Sequence, residues 1–204
     1  MTKSPSSIAV FFLLLAICGC ASSSGSPVTG ITQPDIAAAY LPLHARVHLG
    51  IDSAEGAAVV IAPGIAVTNA HNENLLNPKT VIGTRQDYDL MFFRTARSAA
   101  PLTAVPVIGE AVTAYGQGAD RELRVAHGTV REIKTCVSCT APAYFTFAGN
   151  AGPGFSGGPV LDGAGRLLGI TFGYKDVKSE RLIYAYDMTR VRAELAAAQA
   201  TPRR

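Results

Sequence analysis

From residue 46 onward the chain breaks into short runs of strand character separated at close intervals by turn residues. They are RVHLGI (46–51), GAAVVIA (56–62), IAVTNA (65–70), KTVIGT (79–84), DLMFFRT (89–95), AVTAYG (111–116), RVAHGTVREI (124–133), AYFTFA (143–148), GPVLD (158–162), RLLGITFGY (166–174) and RLIYAYD (181–187). So many short runs with Gly, Pro and Asp between them predict an all-β barrel or sandwich and argue against an α/β sheet. Helical character comes only at the end. There, MTRVRAELAAAQA follows Asp187, a good N-cap residue, and places Val191, Leu195 and Ala198 on one face. The two prolines of PLTAVPVIGE (101–110) mark the expected crossing between two halves of the β domain.

The first residues, MTKSPSSIAVFFLLLAICGC, carry one Lys, an apolar run over 8–17 and small residues before a cysteine. This reads as a secretory signal, to be kept out of the fold, because the run is too short for a hydrocarbon core that needs ~20 helical residues. The ending Ile17-Cys18-Gly19-Cys20 resembles the lipobox of bacterial lipoproteins, in which the chain is cut before an acylated cysteine. That resemblance implies a signal peptide over 1–19, lipid on Cys20, and a protein held at a membrane in the cell envelope. Residues 20–40, beginning CASSSGSPVTG, are expected to be a flexible tether, leaving 41–204 as the folded domain. With 204 residues there is room for one fair-sized domain or two small ones sharing an interface.

Charge excludes one class of partner. Net charge is only +3 and the basic residues are scattered, so nothing resembles a nucleic-acid footprint. In an exported chain Cys136 and Cys139 of KTCVSCT read as a local disulfide, with a redox C-x-x-C as the alternative. A zinc site would need further ligands that the neighbouring sequence lacks, and no metal or cofactor is expected.

The stretch GPGFSGGPV (152–160) raises Ser156 as a nucleophile. Its G-x-S-x-G pattern also fits the elbow of α/β-hydrolases, but that fold requires a histidine after the serine. All four histidines, at 44, 48, 71 and 127, precede it. The order His, Asp, Ser remains open. His71 ends GAAVVIAPGIAVTNAH, two strands around a Pro-Gly turn, and the aspartates between it and Ser156 are Asp87, Asp89 and Asp120. Asp89 stands directly before the apolar run at 90–93, Asp87 falls on the same side of an extended chain, and Asp120 sits in a turn.

The TNAH at 68–71, the Asp-Leu pair at 89–90 and GFSGG at 154–158 together resemble the trypsin-like serine proteases of the chymotrypsin fold, including the HtrA-like branch, without a following PDZ module. The resemblance runs from about residue 47 to 198. It implies two six-stranded antiparallel β-barrels with a C-terminal α-helix, and a triad in which His71 is the base, Asp89 the orienting acid and Ser156 the nucleophile. It further implies an oxyanion hole from the N–H groups of Gly154 and Ser156, with Asn150, Thr171, Phe172 and Gly173 at the substrate. An uncharged Asn150 argues against a strict Lys or Arg preference. Phe155 stands where proteases activated by a new N-terminus carry an aspartate, so activation by such a salt bridge is not expected. The interval of 18 positions between His71 and Asp89 is shorter than the family habit, as a lost surface hairpin would make it.

The function implied is a serine endopeptidase of the cell envelope that works through an acyl-enzyme on peptide or protein substrates. A catalytically silent, peptide-binding adaptor of the same fold is the alternative, and a hydrolase of small esters would use the same machinery.

Overall fold

The computed structural model describes residues 24–44, 55–135 and 142–200. The expected strand at 46–51, the lipidation site Cys20 and both Cys136 and Cys139 lie outside the described residues.

The first half is a sheet of five described strands in the order β2-β3-β4-β6-β5, formed by β2 (Tyr40–His44), β3 (Glu55–Ala62), β4 (Ile65–Asn69), β5 (Val81–Arg85) and β6 (Leu90–Arg94). β3 is buried along most of its length because its AAVV core is small and apolar on both faces. Pro63 and Gly64 make the turn to β4, with Gly64 at φ 75°, which a glycine adopts freely. Pro42 sits in β2, the edge strand of the sheet among the described residues, where a missing N–H is best accommodated.

The second half closes on itself. β7 (Ala111–Gln117), β8 (Leu123–Thr135), β9 (Pro142–Gly149), β10 (Pro159–Leu161), β11 (Leu167–Val177) and β12 (Glu180–Asp187) run in the order β8-β7-β10-β11-β12-β9, and β9 pairs back with β8. Phe145, Phe147, Phe155, Val160, Leu168 and Ile183 fill this barrel. The fold is thus the expected all-β, chymotrypsin-like one, with six strands closed in the second half and five described in the first.

The C-terminal helix, α2 (Met188–Ala200), continues directly from β12 and packs against β5 and β6 of the first half as well as β11, β12 and β9 of the second. Asp187 caps it, its Oδ1 accepting from Arg190 N–H at 2.7 Å. Ala198 fits over Gly83 of β5, where even a methyl group would come within 3.0 Å of it.

The tether expected over 20–40 is corrected for its described part. Ser26 and Pro27 form a short strand, β1, paired with Val125 and Arg124 of β8. Pro34–Ala39 form a one-and-a-half-turn helix, α1, which starts on a proline and buries Ile36 and Ala39. Polar composition suggested a linker, but the backbone of this segment finds its partners on the barrel edge.

Candidate active site

The β4–β6 ladder builds the first part of the site. Asn69 pairs with Leu90 at the end of that ladder, so the residues immediately beyond, Ala70 and His71 on one side and Asp89 on the other, face each other. Ala70 N–H and the Asn69 side-chain amide both donate to the Asp89 carbonyl, at 2.9 and 3.0 Å. After β4 the chain enters a 3-10 turn, Ala70–Leu75, that carries His71. Another 3-10 turn, Gln86–Tyr88, carries the chain from β5 to Asp89, which takes up φ 48°. That left-handed torsion, which Asp tolerates better than most residues, turns the carboxylate back toward the histidine. Asp89 Oδ1 accepts from His71 N–H at 2.9 Å and Oδ2 lies 2.6 Å from His71 Nδ1. One strand and short turns fill the interval of 18 residues between them.

Asp87 does not share this position. The segment is a turn and not an extended run, and Asp87 is left exposed in it. Asp120 instead pairs with Arg124 at 2.6 Å. His44 pairs with Glu55, and His127 is exposed beside Thr113.

Ser156 lies on the loop between β9 and β10. Its carbonyl accepts from Ala57 N–H of β3 at 2.9 Å, which seats the loop on the first half of the molecule. Glycine is required at two places beside it. Gly154 at φ 85° would put a methyl 1.8 Å from the Gln117 carbonyl, and Gly157 at φ 82° would put one 2.1 Å from that of Ala57. Phe155 is 2% exposed, and its ring is wedged between Gly25 and Gly116, where added methyl groups would come within 2.6 and 2.5 Å of it.

The N–H groups of this loop divide into two sets. Those of Phe155, Gly157 and Gly158 donate to the carbonyls of Gly152, Thr171 and Phe155 at 3.1, 2.9 and 2.8 Å. Those of Gly154 and Ser156 donate to no group among the described residues. No hydrogen bond joins the Ser156 hydroxyl to the His71 ring, and the His71 and Asp89 side chains are 48% and 34% exposed.

A pocket of about 270 Å³ opens beside Ser156 between Ala151, Gly152 and Pro153 on one side and Thr171, Gly173 and Tyr174 on the other, with Phe155 and Ile183 also lining it. Among the described residues no charged side chain lines it. The expectation that Asn150 forms its base does not hold. Asn150 is exposed, lines a neighbouring hollow with Asp176 and Arg181, and uses its carbonyl to accept from Gly25 N–H at 2.9 Å. Thr171 is buried; its hydroxyl donates to the Phe155 carbonyl, so it braces the loop as well as lining the pocket. Phe172 points to another surface and stacks on Tyr186 with centroids 4.1 Å apart. Burial, with the Asp89 charge nearby, pushes the Tyr186 hydroxyl up to about 12. Ile183 and Tyr174 line the pocket from strand positions whose direction depends on the bulge between Thr171 and Gly173, which no local pattern reveals.

The family model described as “Trypsin-like peptidase domain” matches residues 51–170, more than half of the chain. The chain belongs to the trypsin-like peptidase family. No curated protein matches it. Among solved structures, this trypsin-like peptidase is similar to a protease from M. tuberculosis in its active form, with a TM-score of 0.66 and 20% identity over 87% of this chain and 89% of that one. An inactive mutant form of the same M. tuberculosis protein is similar at a TM-score of 0.66 and 19% identity, over 89% and 98% of the two chains. A serine endoprotease from Yersinia pestis follows at 0.63 and 18%, with 81% of this chain and 64% of that one covered. These structural likenesses concern the fold.

Proposed function

We propose that the protein is a serine endopeptidase in which Ser156 attacks a peptide carbonyl, His71 moves the proton and Asp89 orients the imidazole. The observation that carries this reading is the pair of unspent N–H groups at Gly154 and Ser156, beside N–H groups of Phe155, Gly157 and Gly158 that are all bonded. Backbone donors left free beside a nucleophile are the means of stabilising an oxyanion.

In the reaction, His71 Nε2 takes the Ser156 proton as Oγ bonds to the carbonyl carbon. The Asp89 carboxylate, fixed on Nδ1, keeps the proton of that nitrogen in place and stabilises the imidazolium. The carbonyl oxygen, now anionic, rests on the N–H groups of Gly154 and Ser156. Collapse breaks the C–N bond, and Nε2 returns the proton to the leaving amine. Water then repeats the sequence on the resulting ester and frees the serine. The open His–Ser hydrogen bond is the looser geometry that such pairs adopt without substrate.

The uncharged walls of the pocket favour a small to medium apolar side chain before the cleaved bond, and nothing in them would hold a Lys or Arg. The lipidation at Cys20, the Cys136–Cys139 disulfide and residence in the cell envelope complete the proposal and rest on the sequence motifs alone. A silent adaptor of the same fold is favoured by one observation, the missing bond between Ser156 and His71.

Intact mass after exposure to a fluorophosphonate probe separates the two. One adduct on the wild type and none on Ser156→Ala supports the endopeptidase. A folded wild type that takes no adduct supports the adaptor. Peptide-library cleavage then tests the apolar preference.

A further inference from the structure

Two donors, both from the first half of the molecule, meet at the Ser156 carbonyl. One is Ala57 N–H at 2.9 Å, and the other is the side-chain amide of Asn72 at 3.1 Å. Asn72 follows His71 in the same 3-10 turn and is only 4% exposed. Its Nδ2 also donates to Thr68 Oγ1 at 2.9 Å, and the Thr68 hydroxyl in turn donates to the Ala57 carbonyl at 2.7 Å. The bonds close a ring from the Ser156 carbonyl through the Asn72 amide, the Thr68 hydroxyl and the Ala57 residue, back to the Ser156 carbonyl.

The space around this ring is kept by missing side chains. A methyl on Gly56 would lie 2.7 Å from Asn72 Nδ2, and one on Gly157 would lie 2.4 Å from Thr68 Oγ1. The three nearest atoms at Gly56 all belong to Asn72, whereas Gly157 faces the Ala57 carbonyl at 2.1 Å as well as Thr68. The missing side chain at Gly56 is therefore what admits an amide at position 72.

We propose that Asn72 is a positioning residue that sets the separation between the His71 imidazole and the Ser156 hydroxyl. This rests on the reading of those two residues as base and nucleophile. Asn72 touches neither substrate nor reacting atoms; it ties the turn that carries the base to the backbone of the nucleophile, from the opposite half of the fold. The donor count explains why an amide is needed. A carboxylate at 72 would present only acceptors to the Ser156 carbonyl and to a threonine oxygen whose proton is already committed to Ala57. An apolar side chain would fill the space but leave the Ser156 carbonyl with one anchor in place of two. Small drifts between reacting groups are costly in rate even where the fold survives.

The test measures kcat, KM, the rate of fluorophosphonate labelling and thermal stability in the full chain. Asn72→Ala is expected to lower kcat and the labelling rate by about 10- to 100-fold with KM within about twofold. Asn72→Asp is expected to fall further. The double variant Gly56→Ala/Asn72→Ala refills the vacated space, and is expected to regain thermal stability without regaining kcat. Thr68→Val, which keeps the volume and removes the hydroxyl, is expected to slow the enzyme and to add nothing to Asn72→Ala, because both break one ring. Recovery of kcat together with stability in the refilled variant would overturn the proposal, since it would reduce Asn72 to packing. So would an Asn72→Ala rate within twofold of the wild type. A wild type that is not labelled removes the reading of Ser156 itself, and that result is in hand before any Asn72 variant is compared.

Discussion

Asp89 holds its left-handed torsion because its own carbonyl is gripped by Asn69 and Ala70 while its carboxylate grips His71. Asn adopts that torsion as readily as Asp, so Asp89→Asn keeps the backbone and removes the charge that fixes the imidazole. The expected result is a fall of about 10³- to 10⁴-fold in kcat with little change in thermal stability, measured on a chromogenic peptide. Asp87→Asn, in the exposed turn next door, is expected to leave kcat within about twofold. The sequence favoured Asp89 over Asp87 through the strand that follows it, yet the idea that both lie on one side of an extended chain failed. QDY folds as a 3-10 turn, a choice made by the tight β5–β6 connection and not by any residue in it. Asp162 carries a pH dependence. Burial pushes its carboxyl up, but the Arg166 N–H and guanidinium and the Ala164 N–H outweigh burial, and the net shift is downward. Its stabilising contribution is therefore full above the ordinary Asp value of ~3.9 and is lost as the pH falls through the lower folded value. The gap in melting temperature between wild type and Asp162→Asn should be present at pH 7 and close in acid.

The N-terminal strand illustrates what an element can do with very few residues. β1 contributes two ladder positions, but Gly25 beside it lies against the Phe155 ring, and its N–H is bonded to Asn150. A chain starting at residue 31 should therefore uncover Phe155, lose about 1–3 kcal/mol, and label with a fluorophosphonate at least tenfold more slowly than one starting at residue 21. Differential scanning calorimetry and labelling kinetics check the two parts. The strands at 56–62, 65–69 and 111–117 were legible because turn residues bracket apolar runs. β1, α1 and β2 were not, because Ser, Gly and Pro there resemble a linker, and pairing with a distant edge leaves no local signature. Asn72 was equally invisible, since its partners lie 4 and 84 positions away.

At the scale of the molecule, the chain crosses between its halves more than once. α2 packs on β11, β12 and β9 of the barrel and also covers β5, where Arg85 bonds Glu194 at 2.7 Å, and Gln117 of β7 donates to the buried Tyr40 hydroxyl of β2 at 2.7 Å. Burial pushes that hydroxyl well above its ordinary range. Because both halves share these contacts, denaturant unfolding should be a single transition that tyrosine fluorescence and far-UV circular dichroism report at the same midpoint. Removal of residues 188–200 should lower that midpoint and separate the two signals. In the segment 101–110 the exposed Leu102, Val105, Val107 and Ile108 were not legible, since apolar residues in a linker give no sign of facing water.

The docking of Ser24 onwards also acts as a ruler. Four peptide units separate Cys20 from Ser24, and fully extended they reach at most about 14 Å. An acyl chain on Cys20 would thus moor the catalytic domain almost in contact with the lipid headgroups, able to cut only what comes down to the bilayer surface.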